Sequence, residues 1–340
     1  MKSKALWRFN IVMKIKSGIL GVGSYLPEKC VDNFYFEGIM DTSNEWITTR
    51  TGIKERRVAA EEEATSDLAI KASLKALECA NLAPEDIDLI ILATLTPDML
   101  LPSTACIVQE GIGAVNAAAF DISAACTGFV YALTIAKQFV ENDTYKNILV
   151  VGSETSSRVL NYEDRATSVL FGDGSGAAVV GRVEDGGILS TYLGADGKGK
   201  DYLKIPAGGS RNKASQDTIQ NNMHTIHMAG SDVFKFAVRK MAETSLIAIE
   251  KANLEAKDID LYVPHQANAR IIEASAKRLG LSMDSVFVNL DKYGNMSAAS
   301  IPVALDEAYR EGKIKKGDKI VVVGFGGGLT WGSSVIEWTL

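Results

Sequence analysis

Cysteine and histidine are scarce in this chain of 340 residues, with four of the first (Cys30, Cys79, Cys106 and Cys126) and three of the second. No C-x-x-C occurs and no Cys/His cluster has zinc-ligand spacing, so neither a zinc module nor a disulfide scaffold is expected. Cysteine usage of this kind fits a reducing cytosol, and a cytoplasmic protein is expected. Proline is rare at seven, and glycine stands at 30, which excludes collagenous and low-complexity chains. Basic charge is not in excess: 36 Lys and Arg face 42 Asp and Glu, for a net charge of −6. A nucleic-acid binder needs a basic footprint, so that class of partner is not expected. Long apolar runs are also missing. The longest uncharged stretches, between Asp121 and Lys137 and between Lys319 and Glu337, fall short of about 18 apolar residues, so no membrane span is expected. The apolar run Phe9–Met13 stops at Lys14, too short for a signal-peptide core. Residues 1–12 read as an extension ahead of the domain, with Met13 as an alternative start.

What is present is an ordinary globular composition, 46% apolar and 23% charged. The length suits two domains or one large α/β body. The chain also repeats itself. Ala76-Leu-Glu-Cys-Ala-Asn-Leu82 resembles Ala248-Ile-Glu-Lys-Ala-Asn-Leu254, and Val150-Val151-Gly152 matches Val322-Val323-Gly324, both at an offset of 172 residues. That period is far longer than a solenoid unit and implies a domain-scale duplication, with halves at 13–185 and 186–340. Apolar periodicity predicts the same order of elements in each half. Helix Leu68–Ala80, strand Leu89–Ala93, helix Ser103–Glu110, strand Ala118–Ile122, helix Cys126–Val140 and strand Ile148–Val151 make the first set. Val233–Ala252, Leu261–Val263, Arg270–Leu279, Val286–Leu290, Ala299–Glu311 and Ile320–Val323 make the second. Alternating helices and short β-branched runs imply a largely parallel sheet per half, two of which would stack as αβαβα layers with pockets at the strands' C-terminal ends.

Three residues stand at such ends. Cys126 lies in a small-residue turn between a strand and a long apolar helix. Free N–H groups and the positive helix end would lower the thiol pKa there and favour thiolate. Cys30, Cys79 and Cys106 lack that context and read as structural. His265 directly follows a strand and precedes a helix, in Val263-Pro-His-Gln-Ala-Asn268. Asn295, in Gly294-Asn-Met-Ser-Ala-Ala-Ser300, occupies the turn that answers the Cys126 turn in the duplication. Taken singly, each has a plainer alternative: a buried structural thiol, a hydrogen-bonded loop imidazole, a turn or cap residue. His224 and His227 lie in a polar stretch, Gln220–His227, expected to be a surface edge strand. The glycine loop Gly324-Phe-Gly-Gly-Gly328 lets backbone N–H groups approach a ligand, but it is not G-x-G-x-x-G. Neither a G-x-S-x-G elbow nor a P-loop occurs. A nucleophile, an imidazole, a carboxamide and a glycine loop at equivalent ends of two halves outline thiolate attack with a stabilised oxyanion.

These residues sit in motifs that resemble the β-ketoacyl-acyl-carrier-protein synthase III family, the initiating condensing enzymes of type II fatty acid synthesis, with a thiolase-like fold. The motifs are Gly23-Ser-Tyr-Leu-Pro27, Asp41-Thr-Ser-Asn-Glu-Trp-Ile47, Arg50-Thr-Gly-Ile-Lys-Glu-Arg56, Ala124-Ala-Cys-Thr-Gly128, Phe171-Gly-Asp-Gly174 and those around His265, Asn295 and Gly327. The resemblance implies a Cys126–His265–Asn295 triad and an oxyanion hole from the Cys126 and Gly327 amides. It further implies Trp46 and Arg165 around a CoA adenine, Thr42 and Arg50 by the CoA phosphates, Asn268 along the pantetheine tunnel and Leu101 in the acyl-pocket wall. Acyl-CoA and acyl carrier protein are the expected partners, a homodimer the expected assembly, and no metal or other cofactor is implied. The acidic carrier protein should dock on basic residues: Lys235 and Arg239 on one helix, and Arg270, Lys277 and Arg278 on another, where Glu273 dilutes the charge. The alternative is an acyltransferase of a polyketide, quinolone or ester-forming pathway on the same scaffold.

Overall fold

The computed structural model describes residues 15–340; the expected extension over 1–12 and the start at Met13 lie outside them. The first half supplies β1 (Lys16–Tyr25), α1 (Thr65–Ala80), β2 (Leu89–Ala93), α2 (Thr104–Ile112), β3 (Ala118–Ile122), α3 (Gly128–Glu141), β4 (Asn147–Thr155) and β5 (Asp173–Val183). The second supplies β6 (Gly187–Ala195), α4 (Gly230–Lys251), β7 (Leu261–Pro264), α5 (Ala269–Leu279), α6 (Ser300–Arg310), β8 (Lys319–Gly326) and β9 (Thr330–Glu337). The first sheet runs β1-β5-β4-β2-β3 and the second β6-β9-β8-β7. Four of the five strands of the first sheet have a counterpart in the second, and the pairings correspond: β2 pairs parallel with β4, and β7 parallel with β8.

Period-2 alternation in the strands makes the layers. In the first sheet Leu89, Ile91, Ile148 and Val150 face the centre of the molecule, while Ile90, Leu92, Leu149 and Val151 face α1 and α2. In β8, Ile320 and Val322 face the same centre, and Val321 and Val323 face α4 and α5. Between the sheets lie α3 and α6, whose Phe129, Leu133, Ile301 and Leu305 are fully buried. Strands apolar on both faces are what a sheet covered on both sides requires. The result is the expected α/β architecture, a thiolase-like αβαβα sandwich of five layers. Close packing depends on Gly23 of β1, where a Cβ would lie 2.4 Å from the Ala76 backbone nitrogen of α1.

Two expectations are corrected. Val286–Leu290 is not a strand. Val286 makes one parallel bridge to Tyr262, and Leu290 already opens a helical turn, Leu290–Tyr293. The reason is Gln266, whose side chain donates to Phe287 O at 3.1 Å and accepts from Asn289 N at 3.0 Å, so a carboxamide takes the place of a ladder. Gln220–His227 is not an edge strand either. Ser215 caps a short helix, Gln216–Gln220, left-handed Asn222 turns the chain, and only His227–Met228 pairs with Leu203–Lys204.

Candidate functional site

Cys126 sits in a 3-10 turn, Ala125–Thr127, that runs directly into α3. Ala125 holds φ at +46°, a left-handed conformation costly for any residue with a Cβ. This bend turns the thiol from the end of β3 back beneath the glycine loop. A Cβ on Gly326 would lie 2.8 Å from the Cys126 nitrogen, so only glycine allows that approach. His265 follows β7 and is fixed through its backbone, His265 N donating to Val323 O at 2.8 Å. Both of its ring nitrogens are buried and, among the described residues, without a hydrogen-bond partner. Its ring meets Phe325 edge-on at 5.6 Å. Asn295 is held by its backbone to Leu170 and Gly172, and its Oδ1 accepts from Ser297 N at 2.8 Å. With the oxygen committed, the amide NH2 is left as the free donor.

The three side chains line one narrow chamber of about 90 Å³, with Phe234, Asn268, Ile271 and Phe325 also in its wall. Cys126 belongs at the same time to a second, largely apolar chamber of about 390 Å³, walled by Leu95, Phe171, Leu203, Ile226 and Gly327. The thiol therefore stands where a tunnel meets a pocket, and Gly327 lies on its pocket side.

The electrostatics correct one expectation. Burial pushes the Cys126 thiol up to about 12, against which the Ser297 hydroxyl pulls it down, and the Glu154 carboxyl adds to the rise. The positive end of α3 does not make a resting thiolate in so dry a site. Burial likewise pushes His265 down to about 3. Cysteine and histidine thus rest as a neutral pair.

The other candidates distribute as follows. Trp46 lies on a short helix, Asn44–Thr51, with the Arg50 guanidinium 4.8 Å and the Arg165 guanidinium 5.0 Å from its ring centre. Arg165 donates to Asp41 O, and Thr42 nearby has a buried hydroxyl without a partner among the described residues. Asn268 caps α5, donates to Arg50 O at 2.9 Å and lines the tunnel chamber, so it joins the Trp46 helix to the site. Lys235 and Arg239 are exposed on α4 and border a groove beside Trp331, while Arg270, Lys277 and Arg278 are exposed on the adjoining α5. None of the five lines the tunnel chamber itself, whose wall takes Val233 and Phe234 from α4 and Ile271 from α5; Arg270 lies over the Phe234 ring at 5.4 Å.

Leu101 lines neither chamber. It is 85% exposed, beside exposed Met99 and Leu100, because the chain leaves β2 and runs outward before α2 begins; Leu95 forms the pocket wall instead. Cys30 and Cys106 are exposed thiols rather than structural ones, and Cys79 is partly covered. His224 is partly buried against Thr218, and His227 is exposed.

Some residues that build the site carried no separate signal in the sequence. Gln266 is wholly buried and pins the His265 loop to Pro264, Phe287 and Asn289. Arg56 is a buried cation whose only hydrogen-bond acceptors among the described residues are the neutral oxygens of Val31, Asn33 and Val169; it ties the Trp46 region to the Leu170–Phe171 segment against which Asn295 is paired. Glu154 and Ser297 lie near the thiol. A glutamate inside the apolar run Asn147–Thr155 was the one visible oddity.

A neutral thiol facing an imidazole and a carboxamide donor, in a dry chamber of a duplicated five-layered fold, defines a thiolase-like condensing acyltransferase. The chain is 76% identical to the β-ketoacyl-[acyl-carrier-protein] synthase III of Clostridioides difficile, over 96% of this chain and 100% of the other. It is 64% identical to that of Caldanaerobacter subterraneus, over 96% and 99%. The chain belongs to the β-ketoacyl-[acyl-carrier-protein] synthase III family. Residues 120–197 match the family model for 3-oxoacyl-[acyl-carrier-protein] synthase III, and 249–338 match that for its C-terminal part. Among solved structures it is similar to 3-oxoacyl-[acyl-carrier-protein] synthase III from Aquifex aeolicus, at 50% identity and a TM-score of 0.88, covering 95% of this chain and 100% of that one.

Proposed function

We propose that this enzyme condenses a primer, acetyl-CoA or another short acyl-CoA, with malonyl-acyl carrier protein to give 3-oxoacyl-acyl carrier protein and CO2, initiating type II fatty acid synthesis. The observation that carries this reading is the meeting of Cys126, His265 and Asn295 in one chamber that continues past the sulfur into an apolar pocket. Since thiol and imidazole rest neutral, acyl transfer starts as His265 takes the Cys126 proton while sulfur attacks the thioester carbon. The tetrahedral oxygen faces the Cys126 and Gly327 amides. The C–S bond to CoA breaks, and the departing thiolate takes the proton back from His265, leaving acyl-Cys126. The second thioester then enters the same tunnel. Neutral His265 and the Asn295 NH2 each donate a hydrogen bond to its carbonyl oxygen, stabilising the enolate formed as CO2 leaves. That carbanion attacks the acyl carbon, and the Cys126 sulfur leaves and is reprotonated. The steps draw on thioesters alone, with no metal or further cofactor.

Trp46, Arg165, Thr42 and Arg50 fit the nucleotide end of CoA, and Asn268 the pantetheine arm. The five cations of α4 and α5 fit an acidic carrier protein; that contact should weaken with salt. A homodimer fits two features: among the described residues β3 pairs only with β2, leaving one edge open, and the Met99–Leu101 loop presents apolar side chains to solvent. A second copy would cover both. Cytoplasmic residence fits the free thiols. The test is stepwise. Cys126→Ala should abolish acyl transfer from acyl-CoA, whereas His265→Ala should still form the acyl-enzyme, more slowly, and fail to condense. An enzyme that is acylated yet ignores malonyl-carrier protein would move the assignment to an acyltransferase of a specialised pathway.

A further inference from the structure

Near Cys126 a wholly buried carboxylic acid occupies the C-terminal end of β4. Glu154 is 0% exposed and has no cationic partner in the described residues. It accepts from the Leu95 amide at 3.1 Å, the Thr96 hydroxyl at 2.7 Å, the Thr94 hydroxyl at 3.2 Å and, more loosely, the Ala298 amide at 3.5 Å. Those donors come from two places that matter to the thiol. Leu95 walls the acyl pocket beside Cys126. Ser297 and Ala298 form the second elbow, pressed so closely on β4 that a Cβ at Gly152 would lie 2.3 Å from Ala298 O. The Ser297 hydroxyl on that elbow is buried without a hydrogen-bond partner among the described residues, and it lowers the pKa of both the Cys126 thiol and the Glu154 carboxyl.

We propose that Glu154 is a positioning residue for Cys126: it holds Leu95 and the Ser297 elbow in place and, when ionised, adds to the hold that burial already has on the thiol proton. The role deepens the function proposed above and rests on it. Burial raises Glu154 to about 7, so its charge changes within the working range of pH. The other titratable groups lining the two chambers are His265, held low, and Lys204, which pairs with Asp201. His265 does not change charge near neutrality. Glu154 is therefore the group whose ionisation the thiol should sense: below neutrality it is uncharged and the thiol ionises more readily, above neutrality it opposes thiolate.

The test is the rate at which iodoacetamide alkylates Cys126, followed on the Cys126 peptide by mass because Cys30 and Cys106 are exposed. Thiolate is the reacting species, so the logarithm of the rate should climb with unit slope wherever no neighbour titrates. In the wild type a shallow stretch is expected around pH 7. Glu154→Gln should remove that stretch and react about tenfold faster above roughly pH 8. Ser297→Ala, tolerable because Ala125 keeps the same φ in the first elbow, should react more slowly and retain the shallow stretch. A Glu154→Gln profile that superimposes on wild type overturns the proposal; should that variant not fold, a wild-type profile of unit slope throughout, or a Ser297→Ala rate equal to wild type, overturns it. These outcomes are independent of acyl transfer. Wild-type enzyme that shows the expected profile but takes no acyl group from acetyl-CoA would sink the proposed function and leave the Glu154–Cys126 coupling standing.

Discussion

Ala125 and Ser297 stand 172 residues apart and hold the same left-handed bend, with φ of +46° and +47°. Each opens a 3-10 turn at the start of a central helix, α3 in one half and α6 in the other. The duplication therefore preserved a strained elbow twice and used it for different ends. The first presents a thiol; the second pins the Asn295 oxygen through its own amide and presents the carboxamide NH2.

The elbow makes a prediction about strain. Left-handed φ costs an L-residue roughly 1–2 kcal/mol and suits glycine. Ala125→Gly should therefore keep acyl transfer from acetyl-CoA and hold stability near wild type. Ala125→Val, whose branched Cβ resists that φ, should lose about 1–2 kcal/mol in urea unfolding and most of its acyl transfer. Equal behaviour of the two variants would contradict the role given to the bend.

Asn295 is assigned as a donor because its oxygen is already engaged. Asn295→Asp keeps an acceptor for Ser297 N and replaces the donor with a charge that repels an enolate. Condensation should fall by about 10²–10³-fold, the size expected for one oxyanion donor, while acyl-enzyme still forms. Loss of both steps together would point to a folding defect, to be checked by circular dichroism.

His265 links pH to stability. Its folded-state pKa, about 3, lies below the ordinary 6.5, so the folded protein binds fewer protons than the unfolded chain between those values. Stability from keeping this ring neutral is present above pH 6.5 and is lost as pH falls towards 3, at up to about 1.4 kcal/mol per pH unit. Glu154, raised to about 7, acts oppositely over part of that window. The comparison of wild type with His265→Ala isolates the histidine: their difference in urea-unfolding free energy should change between about pH 6.5 and 4, with wild type losing more. Parallel curves would refute a neutral buried imidazole.

Trp46, with a guanidinium over it from Arg50 and another from Arg165, is expected to hold the nucleotide end of CoA. Trp46→Ala should raise KM for acetyl-CoA about tenfold or more, with little effect on a truncated thioester lacking the nucleotide, since a stacked aromatic is worth roughly 1–3 kcal/mol. An equal loss with both substrates would place Trp46 outside CoA recognition.

Much of the fold was legible because two kinds of repetition were written into the chain. Short apolar runs marked Leu89–Ala93 and Ala118–Ile122 to the residue, and the 172-residue offset paired the halves. The Val286–Leu290 error has a local cause: the apolar pattern is strand-like, but the Gln266 carboxamide satisfies the backbone that a neighbouring strand would have paired. At the site, Cys126 and His265 were visible through their places at strand ends, and Asn295 through the turn that answers the Cys126 turn in the duplication. The thiol's acidity was not, because helix-end charge can be read from a sequence and burial cannot. That Leu101 lies outside its own chain's pocket was not legible for a related reason, since a loop's direction depends on what it leaves behind rather than on its composition. Glu154 was a lone acid in an apolar strand until the second elbow was folded against it.

The central claim is tested most directly by incubating the enzyme with isotopically labelled acetyl-CoA, weighing the Cys126 peptide, and then adding malonyl-acyl carrier protein. The label should appear on Cys126 and leave it as 3-oxobutanoyl-acyl carrier protein, while His265→Ala should retain the label on the sulfur. No label on Cys126, or a label that malonyl-acyl carrier protein never removes from the wild type, would contradict the account.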